Sequence, residues 1–322
     1  MSRMLWTAIA VLMSVSVGMA QDLLQGKKQV VDVMEQNKDA KDKSHWVGNT
    51  GLYFEYEETK TSGDYSPFLA GNFRRAQSHY SFEYQLWKTY DKYNENYERS
   101  LMQGGVRYNH ANDDDRYTFG ASLNYKDEIT VATKNEAHAG ENIKSYRPNF
   151  FASYKFDNGF SLYYDFLFSF ERRVKHSDDQ ARRYNDYVDE LLAGGSFSFM
   201  QKHLIALEAF HVMEDYKASD KYSEWQARAK YTYTFDSGLS LTPYVRYGVA
   251  MKYEKYSDKE TKAHTYDASR VHYGMALKYK YDKRVTLTGN YYFREEEWSG
   301  IGSNKDLNKH KHYTLWGINY AY

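Results

Sequence analysis

The 322-residue chain has no cysteine, only 3 prolines, and no net charge, its 43 Lys+Arg matched by 43 Asp+Glu. The missing cysteine excludes a disulfide framework and any thiolate metal site. Balanced charge leaves no long-range field to gather a polyanion, so no nucleic-acid partner is expected. A mean hydropathy of −0.83 excludes a bundle of transmembrane helices. There is no GxSxG elbow and no HExxH helix, no enzyme is expected, and no cofactor or metal is called for.

What the chain has instead is aromatic side chains, 34 Tyr and 17 Phe. A composition this polar and this aromatic is odd for a soluble enzyme. It suits strands of which one face meets lipid and the other water. The clearest example is the stretch 224–253. Trp225, Ala227, Ala229, Tyr231, Tyr233 and Phe235 alternate with Glu224, Gln226, Arg228, Lys230, Thr232 and Thr234. An Asp-Ser-Gly turn follows, and then Leu239, Leu241, Pro243, Val245, Tyr247, Val249, Met251 and Tyr253 alternate with Ser240, Thr242, Tyr244, Arg246, Gly248, Ala250 and Lys252. Side chains point to opposite faces at successive strand positions, so this is a hairpin with one oily and one wet face. Its arms match a membrane strand of about 9–11 residues with extensions into water.

The N-terminus reads differently. Arg3, an apolar run over 4–17 and small residues ending at Ala20 form a secretory signal peptide, 1–20. Residues 21–44 are charged and sparsely apolar, a periplasmic extension that is helical or disordered. From 45 to 322 the period of two recurs, giving about fourteen strands in an all-β, transmembrane, antiparallel up-and-down β-barrel. An Asp157-Asn158-Gly159 turn is the strongest hairpin signal. Short connectors (near 74–78, 109–115, 157–159, 200–203, 236–238 and 282–283) alternate with long ones (near 57–66, 89–96, 127–144, 174–184, 215–222, 254–266 and 296–309). That asymmetry is expected of outer-membrane barrels, whose periplasmic turns are short and outer loops long. An even strand number brings both chain ends to the periplasmic side. The C-terminal Gly317, Tyr320 and Tyr322 resemble the aromatic insertion signal read by the barrel-assembly machinery.

The run TPYVRYG at 242–248, FDNGFSLYYDF at 156–166, ALEAFHVMED at 206–215 and the aromatic end resemble the OmpG family of outer-membrane porins. The resemblance implies a monomeric fourteen-stranded pore for sugars and other small hydrophilic solutes in the Gram-negative outer membrane. Its partners would be the bilayer and its lipopolysaccharide. The resemblance implies pH-dependent closure by the long loop between strands eleven and twelve and a facing pair of histidines. Here His264 lies near the corresponding place, without a second histidine opposite on the next strand, and the 254–266 loop is the expected moving part.

On the wet faces, Arg107, Arg116, Arg147, Asp165, Glu171, Arg228, Lys230, Arg246, Arg270, Lys278 and Arg294 are the predicted pore-lining residues. Bases outnumber acids on these faces, so the lumen is expected to favour neutral or anionic solutes. Arginine adds a planar fork suited to carboxylates. Two other classes fit a barrel. A structural or adhesive barrel has a blocked lumen. A barrel enzyme of the lipase or protease type needs a nucleophile and a base, and His79 or His211 with neighbouring acids are its candidates.

Overall fold

The computed structural model describes residues 45–59, 63–91, 97–112, 116–132, 140–177, 180–216, 220–258, 261–300 and 309–322. The signal peptide and the 21–44 extension lie outside the described residues.

Fourteen strands follow one another in the chain: β1 (Trp46–Thr59), β2 (Gly63–Arg75), β3 (Tyr80–Asp91), β4 (Tyr97–Ala111), β5 (Tyr117–Ala132), β6 (Glu141–Lys155), β7 (Phe160–Ser177), β8 (Gln180–Phe199), β9 (His203–Tyr216), β10 (Asp220–Thr234), β11 (Leu239–Asp258), β12 (Thr261–Lys280), β13 (Val285–Gly300) and β14 (Lys309–Ala321). Each pairs antiparallel with its neighbours in sequence, and β1 pairs with β14 to close the barrel. Closure leaves no strand edge, which lipid could not satisfy. The seam is set by mutual bonds between Gly48 and Tyr322 (3.1 and 3.0 Å) and by Tyr53, whose hydroxyl accepts from Asn319 Nδ2 at 3.1 Å. With strands about 4.8 Å apart and tilted about 40°, fourteen of them enclose a ring roughly 28 Å across between backbones.

The predicted alternation sorts the side chains. Leu52, Phe82, Met102, Leu123, Phe150, Leu162, Leu207, Tyr247, Tyr273 and Ile318 are exposed on the outside. Asn49, Gln85, Asn124, Ser145, Asn149, Glu224, Arg246 and Arg294 are buried on the inside. Apolar groups exposed outward and polar groups buried inward invert the pattern of a soluble protein, and lipid is the solvent that makes the inversion favourable.

The short turns hold the near rim. Gly159 and Gly238 have φ of +83° and +82°, the left-handed conformation that glycine adopts without strain. At the 281–284 turn, Asp282 Oδ1 accepts from the backbone N–H of Arg284 (2.7 Å) and Val285 (2.6 Å). Those bonds hold its carboxyl below the usual aspartate range. Both described chain ends, at 45 and 322, lie on this rim.

Two expectations about the far rim are corrected. The long connectors are largely strand: 57–66 shrinks to a gap between Thr59 and Gly63, 174–184 to one between Ser177 and Gln180, and 254–266 to one between Asp258 and Thr261. Beyond the bilayer both faces of a strand are wet, so the hydrophobic alternation fades while backbone pairing continues. The 254–266 segment is therefore a paired hairpin, not a loose loop, and His264 is a β12 position opposite Lys255. Its side chain lies outside the described residues.

The second correction is a bulge. Gln226 pairs with Gly248 and Trp225 with Ala250, so Val249 is an extra residue. Past it every side chain of β11 changes face. Met251 is buried inside, where Tyr222 Oη donates to its Sδ at 3.3 Å, and Lys252 points outward. The assignment of Met251 and Tyr253 to lipid and Lys252 to the lumen is reversed.

Leu123 is 56% exposed, six residues above the start of β5 and near the middle of the apolar belt. Leu123→Arg is expected to lower folding stability in vesicles by about 2–4 kcal/mol, while Ser122→Arg, on the lumen side, leaves a folded barrel. Urea titration of tryptophan fluorescence in liposomes measures both.

Candidate functional site

The antiparallel register aligns side chains from five consecutive strands into one row across the lumen wall. Arg228 of β10 is paired with Arg246 of β11, Arg246 with His272 of β12, His272 with Arg294 of β13, and Arg294 with Lys311 of β14. All five are buried. One step nearer the short-turn rim lies a second row, Lys230, Tyr244, Gly274, Tyr292 and Tyr313. Gly274 is the gap in it: a Cβ there would stand 2.1 Å from Tyr244 Cζ. Tyr244 uses the space to send its hydroxyl to Asn290 Oδ1 at 3.0 Å.

The two rows are packed together. Tyr292 stacks on Tyr313 with centroids 4.6 Å apart, and His272 stacks on Tyr292 at 5.1 Å and 5°. The Arg246 guanidinium lies over Tyr244 at 4.9 Å, and that of Arg228 over Phe210 at 3.8 Å. Cation–π contact offsets part of the cost of setting like charges side by side. Lys311 is closed by Glu57. Arg294 reaches Glu296 at 3.5 Å, and Glu296 also accepts from Arg270 Nε at 3.0 Å. Both ring nitrogens of His272 and Nη2 of Arg228 are buried without a hydrogen-bond partner. The arrangement is a cationic shelf above an aromatic ledge.

Elsewhere the wall alternates in sign. Lys126 contacts Glu128 (3.1 Å) and Glu171 (3.7 Å), and Arg99 contacts Glu128 (3.5 Å). Arg173 bridges Asp186 (2.8 Å) and Glu141 (3.0 Å). Lys230 and Tyr163 share Glu208, each at 2.7 Å. Near β9, Phe210 and Val212 are fully buried on the lumen face, packed with Leu192 and Tyr222.

Most predicted pore residues are found on the lumen wall. Arg107 reaches Glu83 at 3.5 Å, Arg147 reaches Gln103 at 3.2 Å, Asp165 accepts from Asn149, and Glu171 accepts from Ser145 and Ser169 at 3.3 and 3.2 Å. Arg270 donates to Glu224 at 2.9 Å, and Lys278 faces the lumen near the short-turn rim. Arg116 is the exception. It precedes β5 in the turn, largely exposed, and pairs with Asp157 of the next turn at 2.6 Å. His272 and Lys311 of the row are not among the predicted pore residues. The signal for the row is symmetry about the turns: Arg228 and Arg246 are equidistant from Ser237, and His272 and Arg294 from Lys283.

The buried part of the wall does not carry the expected excess of bases. Among the buried side chains of the described residues twelve are acidic and nine basic. Glu57, Asp64, Asp91, Glu128 and Glu296 had been placed in connectors that are strand. The bases are segregated, not in surplus.

No protein-family model matches the sequence, and no curated protein does. Solved structures match most of the chain. The CymD monoaromatic hydrocarbon channel is 9% identical over 89% of this chain and 92% of its own, with a TM-score of 0.50. OmpT, an outer membrane protein of Vibrio cholerae, is 12% identical over 87% and 98%, with a TM-score of 0.47. CdiB from Acinetobacter baumannii is 9% identical, with a TM-score of 0.48, and the chain spans only 60% of its length. At these identities the likeness to CymD is one of fold: a closed barrel of the outer-membrane type. None of the three is an OmpG-family protein by its description.

Gly274→Ala is expected to push Tyr244 off the ledge while leaving the barrel closed. Loss of the Tyr244–Asn290 bond costs about 0.5–1.5 kcal/mol. The check is a drop in the urea midpoint with unchanged heat-modifiable mobility.

Proposed function

We propose that this protein is a monomeric diffusion channel of the outer membrane, of the OmpG type, that passes small hydrophilic solutes and prefers neutral and anionic ones, sugars among them. The lumen is not the site of a reaction. A closed barrel with a lipid-facing belt and a wet, charged interior supports the channel. CymD, which has this fold, is itself a channel.

The observation that carries the preference is the row Arg228–Arg246–His272–Arg294–Lys311. Acids outnumber bases among the buried side chains of the described residues, but they are spread around the wall. The row places three guanidiniums side by side on one part of the wall, climbing with the strand tilt, so a solute moving along that wall passes from one to the next. Guanidiniums bind carboxylates through a planar fork, and the tyrosine ledge beneath offers flat faces to a sugar ring. A neutral sugar would use the ledge alone. An acidic sugar would use both.

The test is a planar-bilayer recording of the folded protein in a tenfold salt gradient. The expected reversal potential has the sign of anion preference. In a triple variant, Arg228→Gln, Arg246→Gln and Arg294→Gln, it should move toward cation preference by at least about tenfold in permeability ratio, the equivalent of 1.4 kcal/mol. Cation selectivity in the unaltered protein would remove the anion reading. Absence of conductance would favour the structural barrel.

A further inference from the structure

On the outer surface, three side chains from neighbouring strands meet: Asp189 of β8, His211 of β9 and Ser223 of β10. Their outward direction follows from alternation, since Val188, Val212 and Glu224 are buried in the lumen wall. His211 Nε2 lies 3.3 Å from Ser223 Oγ, and His211 Nδ1 lies 3.7 Å from Asp189 Oδ1. Each ring nitrogen therefore faces the partner that nucleophilic catalysis requires, the base nitrogen toward the hydroxyl and the other toward a carboxylate. The Trp225 ring packs on the imidazole with centroids 4.4 Å apart and holds its orientation. The side chains of His211 and Asp189 are 18% and 16% exposed, so the cluster is largely covered by its neighbours and reaches the surface at one edge.

The surroundings fit a lipid substrate. His211 is eight residues above the start of β9, about 20 Å from the short-turn rim along the barrel axis. The apolar belt of such barrels is about 25 Å tall, so the cluster sits in its outer part, about 5 Å or more below the level where acyl chains join their headgroups. Ile205, Leu207, Met213 and Trp225 are exposed beside and below it and form an apolar bed. Above it are charges, including Lys221, paired with Asp215 at 3.3 Å. The β11 bulge adds one more part. Ser223 is paired with Lys252, and only because Val249 shifts the register does Lys252 share the outer face with the serine.

We propose that Asp189, His211 and Ser223 form a lipid-facing hydrolase for fatty-acyl esters, a second activity independent of the pore. His211 Nε2 takes the Ser223 proton as Oγ bonds to the ester carbonyl carbon. Negative charge develops on the carbonyl oxygen on the side of Lys252, whose ammonium is shared with Glu254 at 2.8 Å. The bond to the alcohol oxygen breaks, and His211 returns the proton to that oxygen. A water molecule activated by His211 then cleaves the acyl–serine bond, which releases the fatty acid and restores the serine. The sum is ester plus water to acid plus alcohol. Ser223 and His211 are the catalytic residues, and Asp189 is a positioning residue that fixes the imidazole tautomer.

The test uses the full chain refolded in phosphatidylethanolamine vesicles, with a parallel arm of vesicles containing lipid A, and reads released fatty acid by mass spectrometry. A fluorophosphonate probe reports the activated serine directly. Release is expected in at least one arm, which also identifies the ester as glycerophospholipid or lipid A. Ser223→Ala and His211→Asn should lower it by about a thousandfold, and His211→Asn should abolish fluorophosphonate labelling of Ser223. Asp189→Asn should lower release at least about tenfold, with Asp189→Glu recovering part of it. All four variants should keep heat-modifiable mobility and unitary conductance, since they change only the outer face. The proposal is overturned by equal release from Ser223→Ala and the unaltered protein, or by neither release nor labelling in a conducting preparation.

Discussion

Closure of the backbone hydrogen-bond ladder is the constraint on which the rest depends. In hydrocarbon no water is present to satisfy a free N–H or C=O, so an open sheet cannot exist there. β1 must find β14, and once it does the register of every strand is fixed by its neighbours. Side-chain direction then has no freedom left: one parity faces lipid and the other the lumen. The chain obeys this with its composition, giving aromatic and aliphatic residues to one parity and amides, hydroxyls and charges to the other.

That rigidity makes a single extra residue consequential. Val249 displaces β11 by one position, and past it Met251 enters the lumen while Lys252 leaves it. One bulge thus changes both surfaces: it places an apolar side chain against Tyr222 inside and a cation beside Ser223 outside. The same register logic builds the row from Arg228 to Lys311. No two of its members are close in sequence, and strand pairing alone sets them side by side. Stacked rings and the carboxylates of Glu57 and Glu296 hold the cations there.

The wall separates into two electrical characters. From β4 to β9 cations and anions interleave, with Arg99, Lys126 and Arg173 each against a carboxylate. Along the row from β10 to β14 like charges are neighbours, with Glu224 and Glu296 one step farther up the wall. Interleaved charges cancel at short range and serve mainly to keep a wall wet, whereas adjacent like charges leave a field directed across the lumen. The outer surface is divided as well. Its apolar belt is interrupted at one edge by a serine, a histidine and an aspartate.

The sequence alone determined the architecture, because period-two alternation, the Asp-Asn-Gly and Asp-Ser-Gly turns and the contrast of short and long connectors are local signals. It identified ten of the eleven pore residues as lumen-facing by parity, and it failed at Arg116 because parity says nothing in a turn. It misread the far rim, since a strand wetted on both faces has no hydrophobic period to reveal it, and the acids there were lost from the charge count. It missed the bulge for a related reason: Met251, Lys252 and Tyr253 fit the alternating pattern in either register to the eye, and only pairing with β10 and β12 shows which face each takes. Tertiary structure alone decided the row of cations and the meeting of Asp189, His211 and Ser223. Those groups are brought together by the pairing of separate strands across a closed ring, and distance across a sheet is not written in any one strand.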